Sequence, residues 1–137
     1  MIVIDKLESV DMNNYNVMEY MYRDANNFKA FGQLLITGNI TNVDIVEFKS
    51  FLDSGEYFVA EQVGVPPLYS QLWKYSNGST IADHAYHEFI EIRSATNEEI
   101  SSLAAWGEIA TLVSKFRHVR QDWDCQQSVH CSIFKSC

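Results

Sequence analysis

Hydrophobic and polar positions alternate from Tyr15 to Arg23, with Met18, Tyr20 and Tyr22 sharing one face, and Asp24-Ala-Asn-Asn27 follows with turn-forming side chains. Lys29 to Thr37 continues as a second strand, so the two predict a β-hairpin. Ahead of it, residues 2–4 predict a strand tethered by the polar, aperiodic segment 6–14. Thr41-Asn-Val-Asp44 has the form of a capping box, in which hydroxyl and carboxylate satisfy free amides at a helix start. Ile45, Phe48, Phe51 and Leu52 then recur at helical spacing, and Gly55 supplies a left-handed residue to end that helix.

Tyr57-Phe-Val-Ala60 predicts a short strand, and Pro66-Pro67 a loop or first helical turn, because proline lacks the amide and fixes φ. Leu68, Tyr69, Leu72 and Trp73 fit one short helix, Ser76-Asn-Gly-Ser-Thr80 a loop, and Tyr86 to Arg93 an alternating strand. A second capping box, Thr96-Asn-Glu-Glu99, opens a helix containing Ile100, Leu103 and Ala104 that Gly107 interrupts. Ile109, Leu112, Val113 and Phe116 form a last stripe, and from about His118 the periodicity vanishes.

This order implies an α+β fold: an antiparallel or mixed sheet of about four strands with helices packed on one face, plus an irregular C-terminal tail. The expected organisation is an N-terminal strand and linker over 1–14, one domain over 15–117, and a tail over 118–137.

Charge narrows the partners. Eighteen acidic against ten basic side chains give a net charge of −8, which repels phosphate backbones and anionic lipid, so neither nucleic acid nor membrane is an expected partner. Residues 1–114 carry 16 acidic and 6 basic side chains, whereas residues 115–137 carry 2 acidic and 4 basic and are mildly basic. Met1-Ile-Val-Ile-Asp5 is too short for a signal segment and no run of about 18 apolar residues occurs, so a cytoplasmic chain with reduced thiols is expected.

Three segments carry a resemblance: Tyr22-Arg-Asp-Ala-Asn-Asn-Phe-Lys29, Glu56-Tyr-Phe-Val-Ala-Glu-Gln-Val-Gly-Val-Pro66 and Asp83-His-Ala-Tyr-His-Glu88, with Trp106-Gly107 before an apolar helix. They resemble small uncharacterised bacterial proteins over roughly residues 15–117. The resemblance implies no activity, cofactor or catalytic residue, so function must be read from the side chains themselves.

The densest set of potential metal ligands is Asp83, His84, His87 and Glu88, which would suit a divalent transition metal with Glu61 or Arg23 completing the site. On a strand, however, His84 and His87 point to opposite faces, so both reach one ion only if Asp83 to Ala85 is still loop; the competing role for either imidazole is a hydrogen bond to a neighbouring loop. Cys125, His130, Cys131 and Cys137 offer zinc-type donors at the wrong spacing, so exposed, oxidisable thiols in a tail are expected instead. No nucleophile elbow, P-loop or dinucleotide fingerprint occurs. Glu56 and Glu61 read as solvated surface, and Arg23 with Asp24 as a pair that fixes a turn.

Seven tyrosines exceed what one small core needs with every hydroxyl satisfied, so some should reach the surface near Pro66 to Tyr75. The expectation is a non-catalytic protein-binding module, an adaptor, inhibitor or immunity-type regulator. Tyr57, Glu61, Tyr69, Trp73 and Tyr75 would meet a partner with a basic surface. The alternative is a small metal-dependent enzyme or metal-binding protein centred on Asp83–Glu88.

Overall fold

The computed structural model describes residues 14–80, 82–125 and 128. The predicted hairpin is β1 (Tyr15–Arg23) and β2 (Lys29–Thr37), paired antiparallel from Tyr15↔Thr37 to Arg23↔Lys29. Asp24 shapes its turn: Oδ1 accepts the amides of Asn26 and Phe28, both at 2.9 Å, and Asn27 takes the left-handed conformation at φ 69°.

Helix α1 (Asn42–Ser50) starts at the Thr41–Asp44 capping box, and Gly55, φ 73°, lies in the turn beyond it. Strand β3 (Tyr57–Val59) runs into a 3-10 turn over Ala60–Val63 that left-handed Gly64 ends. Helix α2 (Ser70–Ser76) follows the prolines, and β4 (Tyr86–Ser94) precedes α3 (Asn97–Ser102), which opens with the second capping box. Strand β5 (Ala105–Glu108) leads into α4 (Ile109–Val119).

The architecture is α+β, with one mixed five-stranded sheet in the order β3-β4-β1-β2-β5. Among the described residues only β2 and β5 pair in parallel. The four strands expected within the domain are β1 to β4, and β5 is an addition. Gly107 lies inside β5, where the sequence placed a helix break. Four residues with no apolar alternation carry no local strand signal, and the segment is extended because it pairs with Leu35–Thr37.

Met18, Tyr20 and Tyr22 from β1 join Leu34, Ile36, Phe48, Phe58, Leu112 and Phe116 in the core. Phe116 seats α4 against α1 and β3, with ring centroids 4.6 Å from Phe48 and 5.3 Å from Phe58. On the other face of the sheet Val17, Met21 and Leu35 are buried as well. There Arg93 donates to Glu19 and Glu99, and Gln33 donates to Glu99, which ties α3 to this face.

Past α4 the chain turns back through Arg120 and Gln121, both at positive φ. Trp123 then packs 5.7 Å from Phe116 and donates its indole N–H to the Phe51 carbonyl at 2.8 Å. Cys125 is buried, not exposed as expected of a tail thiol. The predicted strand at 2–4, together with His130, Cys131 and Cys137, lies outside the described residues. Among the described residues no helix is long and apolar enough to cross a membrane.

Candidate functional site

Asp83, at the end of the loop before β4, is 3 % exposed yet ionisable. Its Oδ1 accepts the Tyr22 hydroxyl at 2.6 Å, and its Oδ2 accepts the Trp73 indole N–H at 3.0 Å and the Thr80 amide at 2.9 Å. These donors come from β1, α2 and the loop itself, so one carboxylate fastens three parts of the chain. Burial, then the bond to Asp83, pushes the Tyr22 phenol well above its ordinary range, so it stays a neutral donor. The same hydroxyl accepts the His84 amide at 3.1 Å.

The predicted metal ligands do not converge. His84 donates from Nε2 to the Arg23 carbonyl at 2.7 Å and accepts the Tyr86 amide on Nδ1 at 3.0 Å. His87 lies fully buried on the core side, accepts the Leu68 amide on Nε2 at 2.9 Å and donates from Nδ1 to the Ala85 carbonyl at 3.1 Å. Each imidazole is therefore held in one neutral tautomer, with the lone pair a metal would need already given to a backbone amide. Burial depresses the His87 pKa to about 4. Glu88 points to the other face and pairs with Arg23 at 3.0 Å. Among the described residues no three His, Cys, Asp or Glu side chains are placed to hold a metal ion. The competing role, imidazoles tied to neighbouring backbone, is the one these distances describe.

Between the β1–β2 turn and α2 opens a cleft of about 540 Å³. Asp24 and Asp83 line its floor, Trp73 and Leu72 one wall, and Phe28 and Tyr75 its rim. Phe28 is 65 % and Tyr75 80 % exposed, whereas Asp24 is buried like Asp83. Among the described residues, every hydrogen bond to these two carboxylates comes from a neutral group. Lys29 also lines the cleft, but among the described residues no ion pair joins it to either acid.

Of the residues expected to meet a partner, the structure brings Trp73 and Tyr75 to this cleft. Tyr69 is a correction: it is 1 % exposed and supports the cleft from behind, its ring stacked on Trp73 at 5.5 Å and 7°. Glu61 is another correction, because it is not a solvated carboxylate. Its Oε2 accepts the hydroxyls of Tyr69 and of Ser128, and its Oε1 is buried with no hydrogen-bond partner among the described residues. Tyr57 lies apart, lining a hollow of about 390 Å³ with Arg23, Asp53 and Glu88.

The sequence reading missed Phe28 and the second role of Asp24. Asp24 belongs to the segment read as turn chemistry and Phe28 directly follows it, and no local pattern separates an aromatic that leaves a turn into solvent from one that enters the core. No protein-family model matches the chain, and no curated protein or solved structure matches it either.

Proposed function

We propose that this chain is a non-catalytic protein-binding module, an adaptor, inhibitor or immunity-type regulator, that receives a basic segment of another protein in the cleft between the β1–β2 turn and α2. The observation that carries this reading is the pairing of Asp24 and Asp83, both buried and held, among the described residues, by neutral donors, with exposed aromatic rings at the rim. Neutral donors stabilise a carboxylate without cancelling its charge, so the floor favours a lysine or arginine head. Phe28 and Tyr75 then cover the stem and add cation–π attraction. The net charge of −8 steers a basic partner toward the chain from a distance.

The test is a binding titration with a labelled peptide of about seven residues alternating lysine and leucine, against a glutamate–leucine control. The lysine peptide should bind, and the control should not. Tyr75→Ala and Phe28→Ala, both at exposed positions, should each weaken binding about 5–10-fold, and raising salt from about 50 mM to about 0.5 M should weaken it further. Equal binding of both peptides, or binding indifferent to both substitutions, would overturn the reading.

A further inference from the structure

Strand β2 is an edge strand over most of its length. The amides flanking the hairpin set its phase: Gly38 N–H donates to the Asn14 carbonyl at 2.6 Å and Asp24 N–H to the Phe28 carbonyl at 3.0 Å. In an antiparallel ladder the hydrogen-bonded pairs alternate, so Ala30, Gly32 and Leu34 bond to β1 while the N–H and C=O groups of Phe31 and Gln33 point away from it. Strand β5 takes up that outer edge only from Leu35 onward, where Leu35 pairs with Ala105. Among the described residues no strand pairs with the stretch before it. Neither proline nor a bulge blunts this stretch, and Phe31 stands there 64 % exposed.

This edge also faces open space. The cleft already described borders Phe28 just before β2, Lys29 at its start, and Leu72 and Trp73 on α2. A second hollow, of about 640 Å³, borders Phe31, Gly32 and Gln33 on β2 and Leu68 and Gln71 beside α2. Leu103, just before β5, also lines the second hollow. From Phe28 to Gln33, then, a slot runs along the strand edge, flanked by a helix and ending where the chain's own fifth strand begins.

We infer that the partner's basic segment binds as an added β-strand in this slot, hydrogen-bonded to the outward amides and carbonyls of Phe31 and Gln33 and collinear with β5. This inference rests on the binding reading above and names its geometry. Alternate side chains of an added strand point to opposite faces. One set would enter the α2 side, apolar in the hollow beside Leu68 and basic where the cleft reaches Asp24 and Asp83. The other set would lie over the outer face, where among the described residues Arg93 is the one cation paired with Glu19, Glu91 and Glu99. That face is net negative, and so is the cleft, where Asp24 and Asp83 outnumber Lys29. The occupant these charges fit is an extended segment alternating apolar and basic residues.

Amide hydrogen exchange on the full chain, with and without the lysine–leucine peptide, tests this. Phe31 and Gln33 amides should exchange fast in the free protein and at least about 10-fold slower at saturation. Gln33→Pro removes an outward donor and leaves the β1 ladder whole, so it should weaken binding about 10-fold. Peptides N-methylated at alternate residues, in the two phases, give a second readout on the unaltered protein: one phase should bind and the other should fail. If the peptide binds in a Tyr75-dependent way while both phases bind equally and Phe31 and Gln33 stay fast, strand addition is wrong and the cleft reading stands. If no peptide binds, both fall. If Phe31 and Gln33 are already slow in the free chain, the edge is covered, by a second copy where the protection rises with protein concentration and by the chain itself where it does not, and the inference fails.

Discussion

His87 shows how one buried side chain makes the molecule sensitive to acid. It accepts the Leu68 amide, so protonation of Nε2 would break that bond and place a charge among Tyr20, Tyr22, Phe58 and Tyr69. Its pKa is about 4 in the folded chain against 6.5 for a free imidazole. Between those values the unfolded chain binds a proton that the folded chain does not, so stability rises with pH through this window and falls on acidification. At about 1.4 kcal/mol for each unit of pKa, His87 alone should cost about 3 kcal/mol on going from pH 7 to pH 4. Urea unfolding at the two pH values should show that loss in the native chain and a correspondingly smaller one in His87→Gln. Gly32 is a second single-residue constraint. A Cβ there would sit 2.7 Å from the Tyr20 ring, and that ring cannot swing aside because its hydroxyl is tied to the Pro66 carbonyl at 2.7 Å. Gly32→Ala should therefore destabilise by about 1–3 kcal/mol, visible as a lower denaturant midpoint. At this scale the sequence told little about the site. Strand alternation does not separate His84 from His87, because His84 lies in the loop before β4; their separate bonds to backbone do, and Asp83 takes its key donor from Tyr22, 61 residues away, a bond no local pattern records.

Elements announced by side chains that bond to their own backbone were the most legible. Both capping boxes form as read: Thr41 accepts the Asp44 amide, and Thr96 accepts the Glu99 amide. In α3 the same carboxylate has a second task, because Glu99 receives the Thr96 amide at 2.9 Å and two bonds from Arg93 at 2.7 and 2.8 Å. Those contacts, led by Arg93, hold its pKa down to about 2. Glu99 thus caps the helix and anchors it to the sheet, whereas Thr96 only caps it. Thr96→Ala should cost about 1 kcal/mol of stability by chemical denaturation, and Glu99→Gln more, since it loses the anchor along with the cap. Strand β5 marks the opposite extreme. Its extended form is imposed by Leu35–Thr37, some 70 residues earlier in the chain, and only the folded sheet reveals that a fifth strand is there.

At the scale of the whole molecule, the closing of the core extends past the point where sequence periodicity stops. The turn at Arg120 and Gln121, both left-handed, breaks the helical spacing of α4, and so the residues beyond it read as a tail. Yet Trp123 lies against Phe58 and Phe116, donates to the Phe51 carbonyl, and shares contacts with Val59, Ala85 and Cys125 on the far side of β3. Gln121 reinforces the return by donating to the carbonyls of Ser50 and Leu52 at 2.9 and 2.7 Å. A segment that merely trailed from the domain would leave stability unchanged when shortened to a small side chain. A ring inserted between a strand and a helix must instead leave a hollow, and truncating such an aromatic typically costs about 3–5 kcal/mol, less where the ring is partly exposed as here. Trp123→Ala should accordingly lower the unfolding free energy by about 2–3 kcal/mol and shift the whole transition, with tryptophan fluorescence and far-ultraviolet circular dichroism moving together. Coincident shifts would place the chain end inside the cooperative unit, whereas an unchanged midpoint would return it to the status of an appendage.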